Sequence, residues 1–303
     1  MIAVLLTLAA CTGAATDAPT STPVKLALNW YPEPEFGGFY EGVLSGAYAE
    51  AGFDVVLLPG GPGAPSLELL ATGRADAAIS SADDLLIKRA RGIQAVGAWP
   101  GFQLTPAGLM VHADGPASFE DIQGGQVAIE VGAPFQVYLW KTFGWEGEVE
   151  AIPYGGGVGP FLADPALIQQ GYITSEPCLA RAKGAEVRFL KLSDAGWNPY
   201  STLLTFADPP PPWAADFVAV TQRAWEAYLA DPARAHAELA RLNDQMTPAL
   251  LDCIFQAQGP FVTGADGLGA MNAARWDAMA ATLAAQGLLP EGATAAGAWK
   301  ALR

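Results

Sequence analysis

Hydrophobic and polar positions alternate with period two from Val24 to Leu28, with Lys25 and Ala27 between the large apolar residues, which predicts a half-buried strand. The alternation ends at Asn29-Trp30. Pro32 and Pro34 cannot donate to a sheet ladder and push the residues before them out of the helical region. Trp30, Tyr31, Phe36, Phe39 and Tyr40 surround them, and Gly37 and Gly38 permit close backbone approach. Lys25 to Tyr40 therefore reads as a strand running into an aromatic, proline-stiffened turn, with a helix from about Gly38. In an open α/β sheet, ligands bind beyond the carboxyl ends of the strands. The turn is thus either a pocket wall or a core aromatic cluster.

The remaining pattern alternates strand and helix. A helix is predicted over Tyr40–Ala51, with Val43, Leu44, Ala47 and Tyr48 on one face and Gly52 at its C-cap. Phe53–Leu58 reads as a strand ending in the turn Pro59–Gly63, Leu67–Thr72 as a short helix closed by Gly73, and Asp76–Ile79 as a short buried strand. Ser81 or Asp83 is placed to cap a helix over Leu85–Arg91, and Gln94–Trp99 reads as a further strand. This order predicts a parallel, helix-covered sheet. The pattern restarts around Pro106. Gly108–His112, Gln126–Glu130, Val149–Ile152, Gly171–Thr174 and Val187–Leu192 are predicted strands. Ser118 and Asp121 stand at a spacing like that of a capping box, which predicts a short helix there, and Pro134–Phe143 reads as another. A second α/β lobe is therefore expected from Pro106 to about Thr202. After the strand-like Leu203–Phe206 and the breaker Pro209–Pro212, four helices are predicted: Trp213–Leu229, Pro232–Leu242, Thr247–Gln258 and Met271–Gln286.

Composition narrows the function classes. The 303 residues suggest two domains, and 51% hydrophobic against 16% charged residues supports a large core. A net charge of −15 disfavours nucleic-acid binding, which needs a basic footprint, and reads as a solvated acidic surface. The apolar run Leu5–Ala10 is too short to span a bilayer and ends at Cys11. Small residues directly before a cysteine resemble a lipobox, in which Cys11 would be lipidated, and Thr12–Pro23 then reads as a tether. The alternative is an ordinary signal peptide with an accidental cysteine. No Lys or Arg precedes the run, which places the expected start upstream of Met1. Of the other cysteines, Cys178 and Cys253 fall in different expected lobes. An exported compartment permits a disulfide, but a bridge there would clamp the lobes together, so free thiols are expected. There is no zinc-like Cys/His spacing and no nucleophile–base pair such as Ser/His/Asp, so no metal, no cofactor and no enzyme activity are expected. His112 and His236 read as a strand residue and an exposed helix residue.

Several segments together resemble a known family. Asn29-Trp30-Tyr31-Pro32 followed by Gly38-Phe39-Tyr40 is similar to the opening motif of bacterial periplasmic substrate-binding proteins of the thiamine-pyrimidine type, the ThiY-like and SsuA-like branch of ABC-importer binding proteins. Gly46-Ala47-Tyr48 with Ala51-Gly52-Phe53-Asp54-Val55, then Gly73-Arg74-Ala75-Asp76-Ala77-Ala78, then Tyr172-Ile173-Thr174-Ser175-Glu176-Pro177 follow in the family's order. The resemblance implies a type 2 periplasmic-binding-protein fold. Lobe I would be residues 24–104 plus 205–303 and lobe II residues 105–204, joined by two crossing strands near Thr105–Gly108 and Leu203–Ala207, with a helical C-terminal tail. It implies a clamp that captures a small molecule in the interlobe cleft, closes on it, and is read by importer membrane subunits; with the Cys11 leader, a monomer exported and lipid-anchored to the membrane is expected. An enzyme branch of the family builds the thiamine pyrimidine with a cysteine-rich motif, which is missing here.

On this frame the turns expected to reach the cleft carry Asn29, Trp30, Tyr31, Phe36, Gly61, Ser80, Ser81, Trp99, Tyr154, Gly156, Thr174, Glu176 and Trp197. Trp30 and Tyr154 are candidates to stack a planar ligand, with core packing as the alternative. A carboxylate at Glu176 can accept two parallel hydrogen bonds from an amidine-like edge; the alternative is a solvated loop acid. Asn29 offers donors and acceptors, Gly156 lies in a glycine run suited to backbone approach, and Ser80 and Ser81 either contact ligand or cap the following helix. No basic residue falls in these turns, which argues against sulfonate or nitrate. A pyrimidine thiamine precursor is the first expectation; the alternatives are a flavin, an alkanesulfonate-like solute or, last, an enzyme of thiamine-pyrimidine synthesis. Phe36 stands where relatives often carry a histidine, which removes a polar handle.

Overall fold

The opening alternation folds as β1 (Thr22–Ala27) in a computed structural model of the protein, which describes residues 21–302. The Cys11 lipobox and most of the expected tether lie outside the described residues. β1 pairs in parallel with β2 (Phe53–Leu58) and β3 (Ala77–Ser80); β10 (Ser201–Ala207) lies antiparallel between β3 and β4 (Ala95–Phe102), giving the order β2-β1-β3-β10-β4. A second five-stranded sheet has the order β7-β6-β8-β5-β9. It holds β5 (Ala107–His112), β6 (Gly125–Ile129), β7 (Val149–Pro153), β8 (Ile168–Tyr172) and β9 (Val187–Lys191), with β6 parallel to β7 and β8, and β5 antiparallel to β8 and β9. The chain passes between the sheets twice, at 103–106 and at 192–200.

The central strand β3 and the edge strand β4 are buried along their whole length, as near-continuous apolar runs covered on both faces should be. Around the first sheet lie α1 (Gly37–Leu44), α2 (Ala47–Glu50), α3 (Ser66–Ala71) and α4 (Ala82–Ala90); around the second, α5 (Pro134–Phe143), α6 (Gly159–Ala163) and α7 (Glu176–Ala182). The C-terminal stretch forms α8 (Ala214–Ala230), α9 (Ala233–Leu242), α10 (Pro248–Thr263) and α11 (Ala273–Ala285), packed mainly on the first sheet and its helices. α1 lies close against α8. A Cβ on Gly37 would come within 2.1 Å of the Tyr228 ring, and one on Gly38 within 2.2 Å of the Trp225 ring, so both positions need glycine for this approach.

Some sequence expectations are corrected. The helix expected over 40–51 is two helices, because Gly46 takes φ 82° between them. Residues 118–121 form a turn rather than a helix: Asp121 Oδ2 accepts from the backbone N–H groups of Ala117 and Ser118, an alternative to helical bonding. His236 is buried against Tyr228 and Phe255, not exposed. The free thiols expected at Cys178 and Cys253 are a disulfide, with the Cα atoms 6.1 Å apart. Although α10 belongs to the tail on the first sheet, it also packs against α7 of the second, and this brings the two cysteines together.

Candidate functional site

The carboxyl ends of the parallel strands of both sheets point at one cleft, with a cavity volume of about 600 Å³. β1 delivers Asn29 and Trp30, β3 delivers Ser80 and Ser81, β6 delivers Glu130, β7 delivers Tyr154 and β8 delivers Tyr172. The 192–200 crossing adds the buried Trp197, and α7 adds Glu176 at its first residue. Of the thirteen positions expected at the cleft, seven line it: Asn29, Trp30, Ser80, Ser81, Tyr154, Glu176 and Trp197.

Trp30 and Tyr154, one from each sheet, stack with ring centroids 6.1 Å apart and planes 8° from parallel. Tyr154 donates from its hydroxyl to Glu176 Oε1 (2.8 Å), and the Tyr172 N–H donates to Glu176 Oε2 (2.6 Å). The carboxyl is thus held at both oxygens, each of which keeps acceptor capacity toward the cleft. Gly171 makes room for it: a Cβ there would lie 2.6 Å from Oε2. Burial pushes the Glu176 pKa up, against the pull of those two hydrogen bonds. Asn29 keeps its Oδ1 without a hydrogen-bond partner among the described residues.

The other six positions lie elsewhere. Phe36 is fully buried in the core, because the 3₁₀ turn Pro34–Phe36 turns it away from the cleft. Trp99 is mid-strand in β4, which runs on to Phe102, and its Nε1 donates to Gln222 Oε1 (2.7 Å). Thr174 is buried in the turn before α7. Tyr31, Gly61 and Gly156 meet one another instead. A Cβ on Gly61 would lie 3.1 Å, and one on Gly156 3.4 Å, from the Tyr31 ring, so Tyr31 joins turns of the two sheets outside the cleft lining. Ser80 lines the cleft, but its hydroxyl is engaged with Thr205 Oγ1 (2.8 Å). Ser81 is the N-cap residue of α4 but makes no side-chain cap hydrogen bond.

The acids Glu33 and Glu35 were not singled out by the sequence reading, yet both are buried on the cleft wall. Glu33 Oε2 accepts from Ser175 Oγ across the sheets (2.9 Å). Burial, with Glu176 nearby, pushes the Glu33 pKa up to about 8; burial, with Glu33 and Glu176 nearby, also drives Glu35 well above the usual carboxylate range. The signal was the alternation Pro32-Glu33-Pro34-Glu35, in which two fixed prolines hold two acids in one turn. Asp83 was noted only as a possible cap. Lys88 and Arg91 also reach the lining, a correction to the expectation of no base there. Lys88 is tied to Glu68 (2.8 Å) and Asp84 (3.5 Å), and Arg91 is exposed.

The profile described as NMT1/THI5 like matches residues 33–235, two thirds of the chain. The chain belongs to the NMT1/THI5-like family. It is 24% identical over 217 residues to a formylaminopyrimidine-binding protein of Halalkalibacterium halodurans, covering 69% of this chain and 66% of that relative, just under two thirds of its length. In fold it is similar to the alkanesulfonate-binding protein SsuA of Xanthomonas axonopodis pv. citri bound to MOPS, with TM-score 0.66 and 15% identity over 94% of this chain and 100% of that one. The aliphatic sulphonate binding protein SsuA of Escherichia coli gives TM-score 0.64 and 17% identity over 90% of each chain. The architecture is the periplasmic-binding-protein fold that the family resemblance implied.

Proposed function

We propose that this chain is the solute-binding component of an ABC importer, exported and anchored through Cys11, and that it captures a small flat ligand with N–H donors in the cleft between its sheets. A pyrimidine is the first choice. The observation that carries this reading is the Trp30–Tyr154–Glu176 arrangement: two near-parallel rings, one from each sheet, with a carboxyl hydrogen-bonded to the second. Separation of the sheets parts the two rings and admits a planar heterocycle. Each aromatic contact it makes is worth about 0.5–1.5 kcal/mol beyond buried area. Glu176 accepts the N–H edge of the ring, as a few placed polar groups do in largely apolar pockets. The name of the Halalkalibacterium relative supports the pyrimidine choice.

The cleft suits an alkanesulfonate poorly. Its lining holds six carboxyls (Glu33, Glu35, Asp83, Asp84, Glu130 and Glu176) against two bases, one of which is already paired. An enzyme reading finds no histidine or cysteine on the cleft lining from which a Ser/His/Asp or Cys/His constellation could be built. The test is calorimetry with the hydroxymethyl derivative of a methylated aminopyrimidine, on the wild type, Trp30→Ala and Glu176→Gln. Binding to the wild type that both variants weaken at least about tenfold is expected. Binding that neither change alters would remove the two residues from the site.

A further inference from the structure

Glu33 and Glu35 take no part in the stacking and pairing scheme, yet each is only 8% exposed and lines the cleft. Glu33 has only neutral donors beside it, the Ser175 hydroxyl and the Trp30 indole, and nothing among the described residues donates to Glu35. On the same cleft lining Asp83, 4% exposed, keeps its Oδ1 without a partner among the described residues. A buried carboxylate without a counter-charge is costly, and proteins pair it, protonate it or leave it for a ligand. The basic residues on the lining do not supply that charge: Lys88 is held by Glu68 and Asp84, and Arg91 sits exposed. The described residues hold no group of three acidic, histidine or cysteine side chains arranged to hold a metal ion. The facing Trp30 and Tyr154 rings favour an organic cation, which an aromatic face attracts.

We propose that the cleft binds a flat organic cation carrying an ammonium or amidinium group, and that Glu33 and Glu35, releasing their protons to solvent as the cation enters, are its counter-charges. The inference rests on the reading that this cleft is the ligand site, and narrows the ligand to a charge class. Glu176 holds the ring edge, and the two acids of the Pro32–Glu35 turn hold the charged substituent.

The test compares two isosteric pairs by calorimetry. One is the aminomethyl against the hydroxymethyl derivative of the same aminopyrimidine; the other is benzamidine against benzamide. The cation of at least one pair is expected to bind at least about tenfold tighter than its neutral partner, and the preference is expected to collapse to near parity in E33Q/E35Q. E35Q alone disturbs no side-chain hydrogen bond to Glu35, so it serves as the milder variant if the double change unfolds the chain. If neither pyrimidine binds but benzamidine outbinds benzamide through these acids, the pyrimidine identity fails and the cation site stands. Equal binding within both pairs, no binding by any of the four, or a preference unchanged in E33Q/E35Q and E35Q overturns the inference.

Discussion

Removing the bridge between α7 and α10 should weaken the fold by a calculable amount. Cys178 and Cys253 are separated by 75 residues. In the chain-entropy treatment, closing a loop of that length removes about 15 cal/mol/K from the unfolded ensemble, or about 4.5 kcal/mol at 25 °C. The measurement is urea unfolding of Cys178→Ser/Cys253→Ser against the bridged protein, both carrying Cys11→Ser so that no third thiol interferes. With a slope of about 3 kcal/mol/M, the midpoint should fall by about 1.5 M. Fluorescence and circular dichroism should be followed together, since two-lobed proteins need not unfold in one step. Transitions that coincide with and without the bridge would refute the entropic argument. Two reactive thiols in unreduced, denatured Cys11→Ser protein would show that the bridge does not form.

Other consequences follow from the same geometry. Glu33 is protonated in the fold up to about pH 8, whereas its ordinary value is 4.5. The folded state therefore holds a proton that the unfolded state releases, and stability should fall by about 1.4 kcal/mol per pH unit as pH rises through that window. Glu33→Gln should flatten that fall in chemical denaturation of the ligand-free protein at pH 5, 6.5 and 8; a slope as steep as wild type would count against the burial argument. Gly171→Ala places a methyl against the Glu176 carboxyl, so a stability loss of about 1–3 kcal/mol with weakened ligand binding is expected; unaltered affinity in calorimetry would mean the carboxyl moves aside without cost. Cys11→Ser should move the exported protein from the membrane to the soluble fraction on fractionation, and persistence in the membrane would rule out the lipid anchor.

What the sequence disclosed tracks where local rules dominate. The opening strand, the glycine C-caps and the four C-terminal helices follow from short-range periodicity and punctuation, and these elements appear with shifted ends. The turn after β1 was legible as a wall because prolines and aromatics mark it, and Trp30 with Tyr154 followed from their places after strands. Which side chains of a turn face inward is set by its local twist and by what packs behind it. Phe36 fills the core beneath α1 and α10, and the two acids beside it are left facing the cleft. Trp99 does not reach the cleft lining, because its strand continues three residues further than expected. Tyr172 was concealed by a strand end placed two residues late, at Thr174, which made the residue that lines the cleft look like a mid-strand position. The bridge between Cys178 and Cys253 depends on α10 reaching α7, a contact between segments remote in sequence that no local pattern encodes.

The bridge and the acidic wall bear on each other. Burial raises the pKa of Glu33, Glu35 and Glu176, and Glu176 raises Glu33 further and, with Glu33, raises Glu35, so any fraction that ionises pushes the turn holding Glu33 and Glu35 away from α7. These two segments belong to different sheets and, apart from the Ser175–Glu33 hydrogen bond, little polar contact holds them. α10 packs on both, and its bridge to Cys178 fixes α7 two residues beyond Glu176. The bridge therefore clamps only one side of the cleft. The covalent tie holds α7 beside the acids. Tyr31 against Gly156, and the Gly63 N–H donating to Glu130 Oε1 (2.8 Å), join the sheets without any covalent bond and are free to part. On the proposed function, a clamp stapled in this way would keep its carboxyl wall assembled while the Trp30–Tyr154 side opens, so that a ligand would meet a preformed polar wall and be enclosed by the aromatic one.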